Sequence, residues 1–218
     1  MVDRFAVVSG DVAEVAAQVR SMIPAPTAVH EVVAGIIASV EEGGDEQLLE
    51  HERRFGGGDG PLRVPGAELA AALDALDPAV RDGLALALAN VRAVAEEGLG
   101  QDRDVVLPQG QVVRLREIPV ARAAVYAPGG RQPYPSSVVM GVATARAAGV
   151  AEVVVAAPAH PVILAACALC GADEVYRMGG AQAIAALALG TETIRPVDVV
   201  VGPGNLYVQE AKRQLSGR

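Results

Sequence analysis

The chain has 218 residues, of which 51% are apolar but only 3% aromatic, with no tryptophan and a formal net charge of −8. That is enough apolar material to bury a core of ordinary size. The negative charge and the scarcity of rings argue against a protein that coats nucleic acid or an anionic membrane surface, so small-molecule work is the expectation, with no nucleic acid and no membrane as partners.

The first hundred residues read as helices. Asp11 with Glu14 three places on carries the capping-box signature, and Val12, Val15, Ala16 and Val19 follow at helical spacing up to Pro24. A second helix is predicted from about Thr27, its apolar stripe running through Val29, Val32, Val33, Ile36, Ile37 and Val40, with Gly43-Gly44 as the stop. Asp45 then caps a short helix to about Phe55, after which Gly56-Gly57-Gly58-Asp59-Gly60-Pro61 reads as a surface loop. Asp77-Pro78 places an N-cap before an N1 proline and opens a longer helix through Leu84, Leu88, Val91 and Val94 to Gly98.

At Arg103 the period changes. Residues 105–107 and 112–118, joined by Pro108-Gln109-Gly110, read as a β-hairpin. Beyond it, strand-like segments at 123–126, 152–156, 174–178 and 197–201 alternate with helical segments beginning near Ser136, Pro161, Ala181 and Asn205. Parallel strands need such crossovers, so the predicted class is α/β: a helical amino-terminal region with a β-hairpin, followed by an incomplete Rossmann-like, doubly wound parallel sheet.

Each strand of the second half runs into a loop of glycine, proline and polar residues: Tyr126-Ala127-Pro128-Gly129-Gly130, Ala157-Pro158-Ala159-His160, Gly179-Gly180-Ala181-Gln182 and Gly202-Pro203-Gly204-Asn205. Such loops share the carboxyl edge of the sheet, where helix N-termini aim spare N–H groups outward and glycine lets a pyrophosphate approach the backbone. Gly129, Gly130, Gly179, Gly180 and Gly204 are therefore candidates for contact with a cofactor. Glycine and proline also make tight strand-to-helix turns with no ligand, and that reading suits any one loop taken alone. The G-x-G-x-x-G fingerprint is missing, so no standard Rossmann turn is expected and side chains must supply more of the specificity. The boundaries expected from this pass are a helical region at 1–102, a hairpin connection at 103–121 and a Rossmann-like nucleotide-binding domain at 122–218.

The remaining chemistry-bearing residues are few. His30 and His51 read as solvated, and His160 lies in a strand-end loop. Cys167 and Cys170 have C-x-x-C spacing, but they sit in an apolar helix with no further ligand to finish a zinc site, so core packing is expected; they also point to no oxidising compartment. No long apolar run is present, and Met1-Val2-Asp3-Arg4 opens no export signal, so a cytoplasmic location is expected.

The run Val125-Tyr126-Ala127-Pro128-Gly129-Gly130, then Tyr134-Pro135-Ser136-Ser137-Val138-Val139-Met140, then Gly179-Gly180-Ala181-Gln182-Ala183, then Pro196-Val197-Asp198 through Gly202-Pro203-Gly204-Asn205 resembles histidinol dehydrogenase in order and spacing. The resemblance implies an NAD-dependent enzyme of histidine biosynthesis that oxidises L-histidinol, through L-histidinaldehyde, to L-histidine. It implies NAD contacts at Tyr126, Gln182 and Asn205, whose hydroxyl and amides offer donors and acceptors. As structure alone, Tyr126 reads equally as a core aromatic, Gln182 as a cap of its own helix and Asn205 as an N-cap.

The resemblance also implies zinc and an intertwined homodimer. The zinc ligands and the Glu-His pair that moves protons are expected beyond Arg218, so no catalytic and no metal residue is assigned within the chain. Gly141 and Thr144 stand where the family has Asn and Pro, Val94-Ala95 replaces Phe-His, and Arg131-Gln132-Pro133 is an insert-like triplet. Alone, the chain is expected to be inactive and to bind NAD weakly. The alternatives are a non-catalytic nucleotide-binding or regulatory remnant, and a structural subunit that pairs with a separate second half.

Overall fold

The structure, a computed structural model, describes residues 11–22, 26–57, 60–128 and 133–217. In chain order it runs through α1 (Val12–Ser21), a 3-10 turn (Pro26–Val29), α2 (His30–Phe55), α3 (Gly66–Asp74) and α4 (Pro78–Glu97). The hairpin strands β1 (Arg103–Val106) and β2 (Val112–Leu115) follow. Then come β3 (Arg122–Tyr126), α5 (Pro135–Ala147), β4 (Glu152–Ala157), α6 (Pro161–Cys170), β5 (Glu174–Arg177), α7 (Gly180–Leu189), β6 (Val199–Val201) and α8 (Leu206–Leu215). Expectations placed on Met1-Val2-Asp3-Arg4, Pro24, Gly58, Asp59, Gly129, Gly130, Arg131, Gln132 and Arg218 fall outside the described residues.

The sheet order is β5-β4-β3-β6, every pairing parallel. β4 shows why: Val153, Val154 and Val155 are all fully buried, as a strand covered on both faces must be. Alternation along the strands then splits the core in two. Ala124, Tyr126, Val154, Ala156 and Tyr176 face α2, α7 and α8. Ala123, Val125, Val153, Val155 and Val175 face α5 and α6, with Leu69 of α3 and Leu84, Leu88 and Val91 of α4 packed behind. The chain is α/β and doubly wound, as its segment order predicts.

The hairpin forms with Val105 opposite Val113 and Gly110 at φ 92 in its turn, although the second strand is shorter than expected and every residue of both is exposed. Asp77 caps α4 as predicted, its carboxylate accepting from Ala79 N (2.9 Å) and Val80 N (3.3 Å). Asp11 does not cap α1 through its side chain: at φ −100 and ψ 7 it lacks the extended backbone from which a carboxylate reaches the second and third helical N–H groups.

The predicted stop at Gly43-Gly44 is a kink inside one longer element. Gly44 leaves helical geometry (φ 52, ψ −135), and the chain restarts at Asp45, whose N–H donates to Glu192 (2.8 Å) while its carboxylate accepts from the Thr191 hydroxyl (2.5 Å). The helix α3 is not anticipated by the sequence reading. Just before it, residues 62–64 run antiparallel along β5, with Val64 N donating to Val175 O (2.8 Å) and Arg177 N to Leu62 O (2.7 Å), and so cover an otherwise open sheet edge.

A charged cluster fastens the amino edge of the sheet. Arg122, only 6% exposed, pairs with Glu152 and Glu174; Glu152 also meets Arg195, and Arg63 lies 3.1 Å from Glu174. Asp198 accepts from the Arg122 N–H (2.8 Å), joining β6 to β3.

Of the two helical histidines expected to be solvated, His51 is not. His51 is buried, Nε2 lies 2.7 Å from Ser39 Oγ, and the ring stacks on Phe55. Its position one turn from Leu48 puts it on the covered side of α2, and burial, with the Arg54 charge beside it, pulls its pKa below the ordinary value. His30 keeps partial exposure but sits 2.7 Å from the fully buried carboxylate of Glu210, which also receives Arg213 and Gln214. Cys167 and Cys170 lie in the core as expected, and burial pushes their thiols up to about 12 and about 11. Among the described residues no helix is long and apolar enough to cross a membrane.

Candidate functional site

β3 delivers Tyr126 to the carboxyl edge with its ring turned toward α7, where it is 5% exposed. Its phenolic oxygen accepts from Gly180 N (3.0 Å). Gly180 has φ 66, and a Cβ there would stand 2.6 Å from Gln182 Oε1, so a bare backbone is needed for the turn to close. In the first turn of α7, Gln182 is 3% exposed and donates through Nε2 to Glu52 Oε1 (2.9 Å). The same carboxylate oxygen accepts from Gly179 N (3.0 Å).

Glu52, in the last turn of α2, is thus the hub of the cluster, and the sequence reading overlooked it. It lies within Glu50-His51-Glu52-Arg53-Arg54, which looks like a solvated charged run. The missed signal is spacing: Glu52 stands four residues after the buried Leu48, so the helix carries it onto the apolar face. Burial pushes its pKa up, and the hydrogen bonds from Gly179 and Gln182 offset only part of that. The Tyr126 phenol is also raised, chiefly by burial, with the Gly180 N–H opposing and the Glu52 charge adding to the rise. Tyr126 is therefore a neutral hydrogen-bonding group at neutral pH rather than a base.

The switch in strand order falls between β3 and β6, since the chain moves outward through β4 and β5 and returns on the other side of β3. In open α/β sheets this is where a crevice opens at the carboxyl edge. Here the two loops touch: Gly202 has φ 121, and a Cβ on it would lie 2.1 Å from the Tyr126 carbonyl oxygen.

Of the expected contact residues, Tyr126 and Gln182 belong to one hydrogen-bonded cluster with Gly179 and Gly180. Asn205 is exposed at the same edge, on the loop after β6, with its Oδ1 accepting from Val208 N (3.1 Å) as the N-cap of α8. Gly204 precedes it, packed so closely that a Cβ would meet Val208 Cγ1 at 2.2 Å. Gly179 and Gly180 are half-exposed, so the backbone of this turn forms the opening above two nearly buried side chains. Gly129 and Gly130 lie outside the described residues. His160 is an exposed N-cap of α6, its Nδ1 accepting from Val162 N (3.3 Å).

An open groove of about 710 Å³ lies on the other face of the sheet, between α5 and β6, lined by Val125, Gly141, Thr144, Val199 and Val201. It is apolar and far poorer in hydrogen-bonding groups than the Tyr126 cluster. Gly141 has a structural explanation, since a Cβ there would stand 2.5 Å from Val125. Among the described residues no group of three His, Cys, Asp or Glu is arranged to hold a metal ion.

A doubly wound sheet with polar side chains and half-exposed glycines gathered at its switch point defines an α/β protein whose carboxyl edge is the candidate site. Comparison with known proteins narrows the class. Residues 21–218 match the family profile described as histidinol dehydrogenase. The chain is 41% identical to the histidinol dehydrogenase of Streptomyces avermitilis over 96% of its own length and 50% of that protein's. It is 44% identical to that of Nocardia farcinica over 93% of its length and 48% of that protein's. The crystal structure of histidinol dehydrogenase from Elizabethkingia anophelis superposes with a TM-score of 0.81 at 26% identity, covering 86% of this chain and 45% of that one. The chain belongs to the histidinol dehydrogenase family, and it spans about half the length of the relatives it matches.

Proposed function

We propose that this chain carries the NAD-binding edge of a histidinol dehydrogenase, the enzyme that oxidises L-histidinol through L-histidinaldehyde to L-histidine in two hydride transfers. The observation that carries the reading is the cluster joining Tyr126, Gly180, Gln182 and Glu52 at the carboxyl edge. The residues fit a dinucleotide. Tyr126, Gln182 and Asn205 supply neutral donors and acceptors for ribose hydroxyls and a carboxamide, while Gly180 and Gly202 let the turns close where a Cβ would meet Gln182 and the Tyr126 carbonyl.

Bound NAD supplies the hydride acceptor; the chain's own residues bind and orient it. Tyr126 braces the Gly179–Gly180 turn, Gln182 offers its amide, and Asn205 holds the head of α8 in place. Within this cluster no group is placed as the base that alcohol oxidation requires: Glu52 already accepts two hydrogen bonds and Tyr126 is protonated. Zinc does not fit the described residues, so no step is routed through a metal. The chain alone therefore binds cofactor without turning over substrate, and the complete reaction belongs to a longer polypeptide or a second half supplied separately.

Calorimetric titration with NAD tests this. The wild-type chain is expected to give a weak but saturable heat that Gln182→Ala and Asn205→Ala each reduce several-fold, with no NADH formed from histidinol in the presence of zinc. Absence of both heat and thermal shift with NAD removes the binding reading, and sustained NADH formation contradicts the assignment of chemistry elsewhere.

A further inference from the structure

We propose that Glu52 is a positioning residue for this edge: its carboxylate holds the Gly179–Gly180 turn and decides which side of the Gln182 amide a ligand meets. The proposal rests on the cofactor reading above and deepens it.

Glu52 comes from α2, outside the strand-to-loop units that carry the other site residues, and reaches Gly179 and Gln182 across 127 and 130 positions of sequence. A single oxygen, Oε1, takes both hydrogen bonds, at 3.0 Å from Gly179 N and 2.9 Å from Gln182 Nε2. An ionised carboxylate can only accept. The amide of Gln182 must therefore turn its NH2 toward Glu52 and its carbonyl oxygen the other way, over Gly180, where Oε1 stands 2.6 Å from the place a Cβ would occupy. A ligand at this turn meets an acceptor and has to bring a donor, which ribose hydroxyls and a carboxamide N–H both are.

The second consequence concerns charge. The start of α7 would ordinarily draw an anion to its spare N–H groups. Here the chain's own carboxylate sits on the Gly179 N–H, 5% exposed and thus little screened by water. A phosphate at this turn would face that charge at close range. The uncharged portions of a dinucleotide, not its pyrophosphate, are therefore the parts that lie against Gly179, Gly180 and Gln182. The packing of α2 on α7 sets this geometry, which gives the helical half of the chain a direct hand in the site.

The test compares wild type with Glu52→Gln, Glu52→Asp and Glu52→Ala, with Val139→Ala in the opposite core as the control for lost stability. NAD affinity is read by calorimetry, and the Gln182 side-chain NH2 by its 15N–1H resonance. Glu52→Gln places an amide oxygen where Oε1 stands and should keep affinity within about threefold and the resonance in place. Glu52→Ala should weaken NAD tenfold or more and shift the Gln182 resonance to that of a free amide. Glu52→Asp, one methylene short, should do the same and serves if the alanine variant does not fold. Val139→Ala should lower the melting temperature and leave both readouts unchanged. Wild-type affinity in Glu52→Ala, or an equal loss in Val139→Ala, overturns the proposal. If the wild type gives no heat with NAD, the cofactor reading is lost, and the Gln182 resonance decides positioning by itself: moved in Glu52→Ala it upholds the role, unmoved it refutes it.

Discussion

Two carboxylate sites in this chain titrate in opposite senses, and the difference comes from what surrounds each. Arg195 and Arg122 hold Glu152 down at about 2 from an ordinary 4.5. Burial alone would raise Glu174, but the bonds from Arg122 and Tyr176 outweigh it and leave the group below its ordinary value. Both are depressed in the folded state, so their stabilisation is complete above about 4.5 and is lost as the pH falls below it, for Glu152 down to about 2. Glu52 runs the other way. Its folded value is raised, so ionising it to the carboxylate that holds the Gly179–Gly180 turn takes back some stability as the pH rises from the ordinary value through the folded one. Replacing the buried Arg122 with Met leaves two carboxylates short of a partner, and should cost about 3 kcal/mol at neutral pH, the lower end for a broken buried pair because Glu152 can turn to water and Arg195. Urea unfolding from pH 7 down to pH 2 checks this. Arg122→Met should flatten the acid limb of the curve, and an acid limb as steep as that of wild type would refute the assignment.

At the scale of elements, what could be read from the sequence was what is local. Asp77-Pro78 announces α4 because the cap and the N–H groups it satisfies lie within three residues of each other. The four strand-to-helix turns are visible for the same reason, as is the hairpin turn at Gly110. Asp11 shows where the pattern alone misleads: Glu14 follows at the right spacing, yet the backbone at Asp11 does not present the carboxylate. The two caps therefore separate in experiment. Asp77→Ala should cost about 1 kcal/mol in chemical unfolding, whereas Asp11→Ala should stay within about 0.5 kcal/mol. Equal losses would mean that α1 is capped in solution after all. The helix α3 escaped notice because it has nine residues, no side-chain cap and an alanine-rich face whose partner, α6, lies about a hundred positions away. The kink at Gly44 was half legible, since the glycines are plain to read but the clamp from Thr191 and Glu192 is not.

For the whole molecule, the parallel, doubly wound class follows from the alternation of segments, while the strand order and the contacts that tie the carboxyl edge together are long-range. Tyr126 and Gln182 were reached through motifs, and the carboxylate that joins them could be found only once α2 was seen packed on α7. The hairpin stays outside this core: Val106, Val112, Val113 and Leu115 stand in water, and Val106 is 70% exposed.

The position of the cofactor can be read most directly by following every backbone amide while NAD is added. The largest shifts should fall on Gly179, Gly180, Ala181 and Asn205, on the loops that follow β5 and β6 at the carboxyl edge. Shifts concentrated instead on Gly141, Thr144 and Val199, around the apolar groove on the opposite face, would contradict the assignment of this edge.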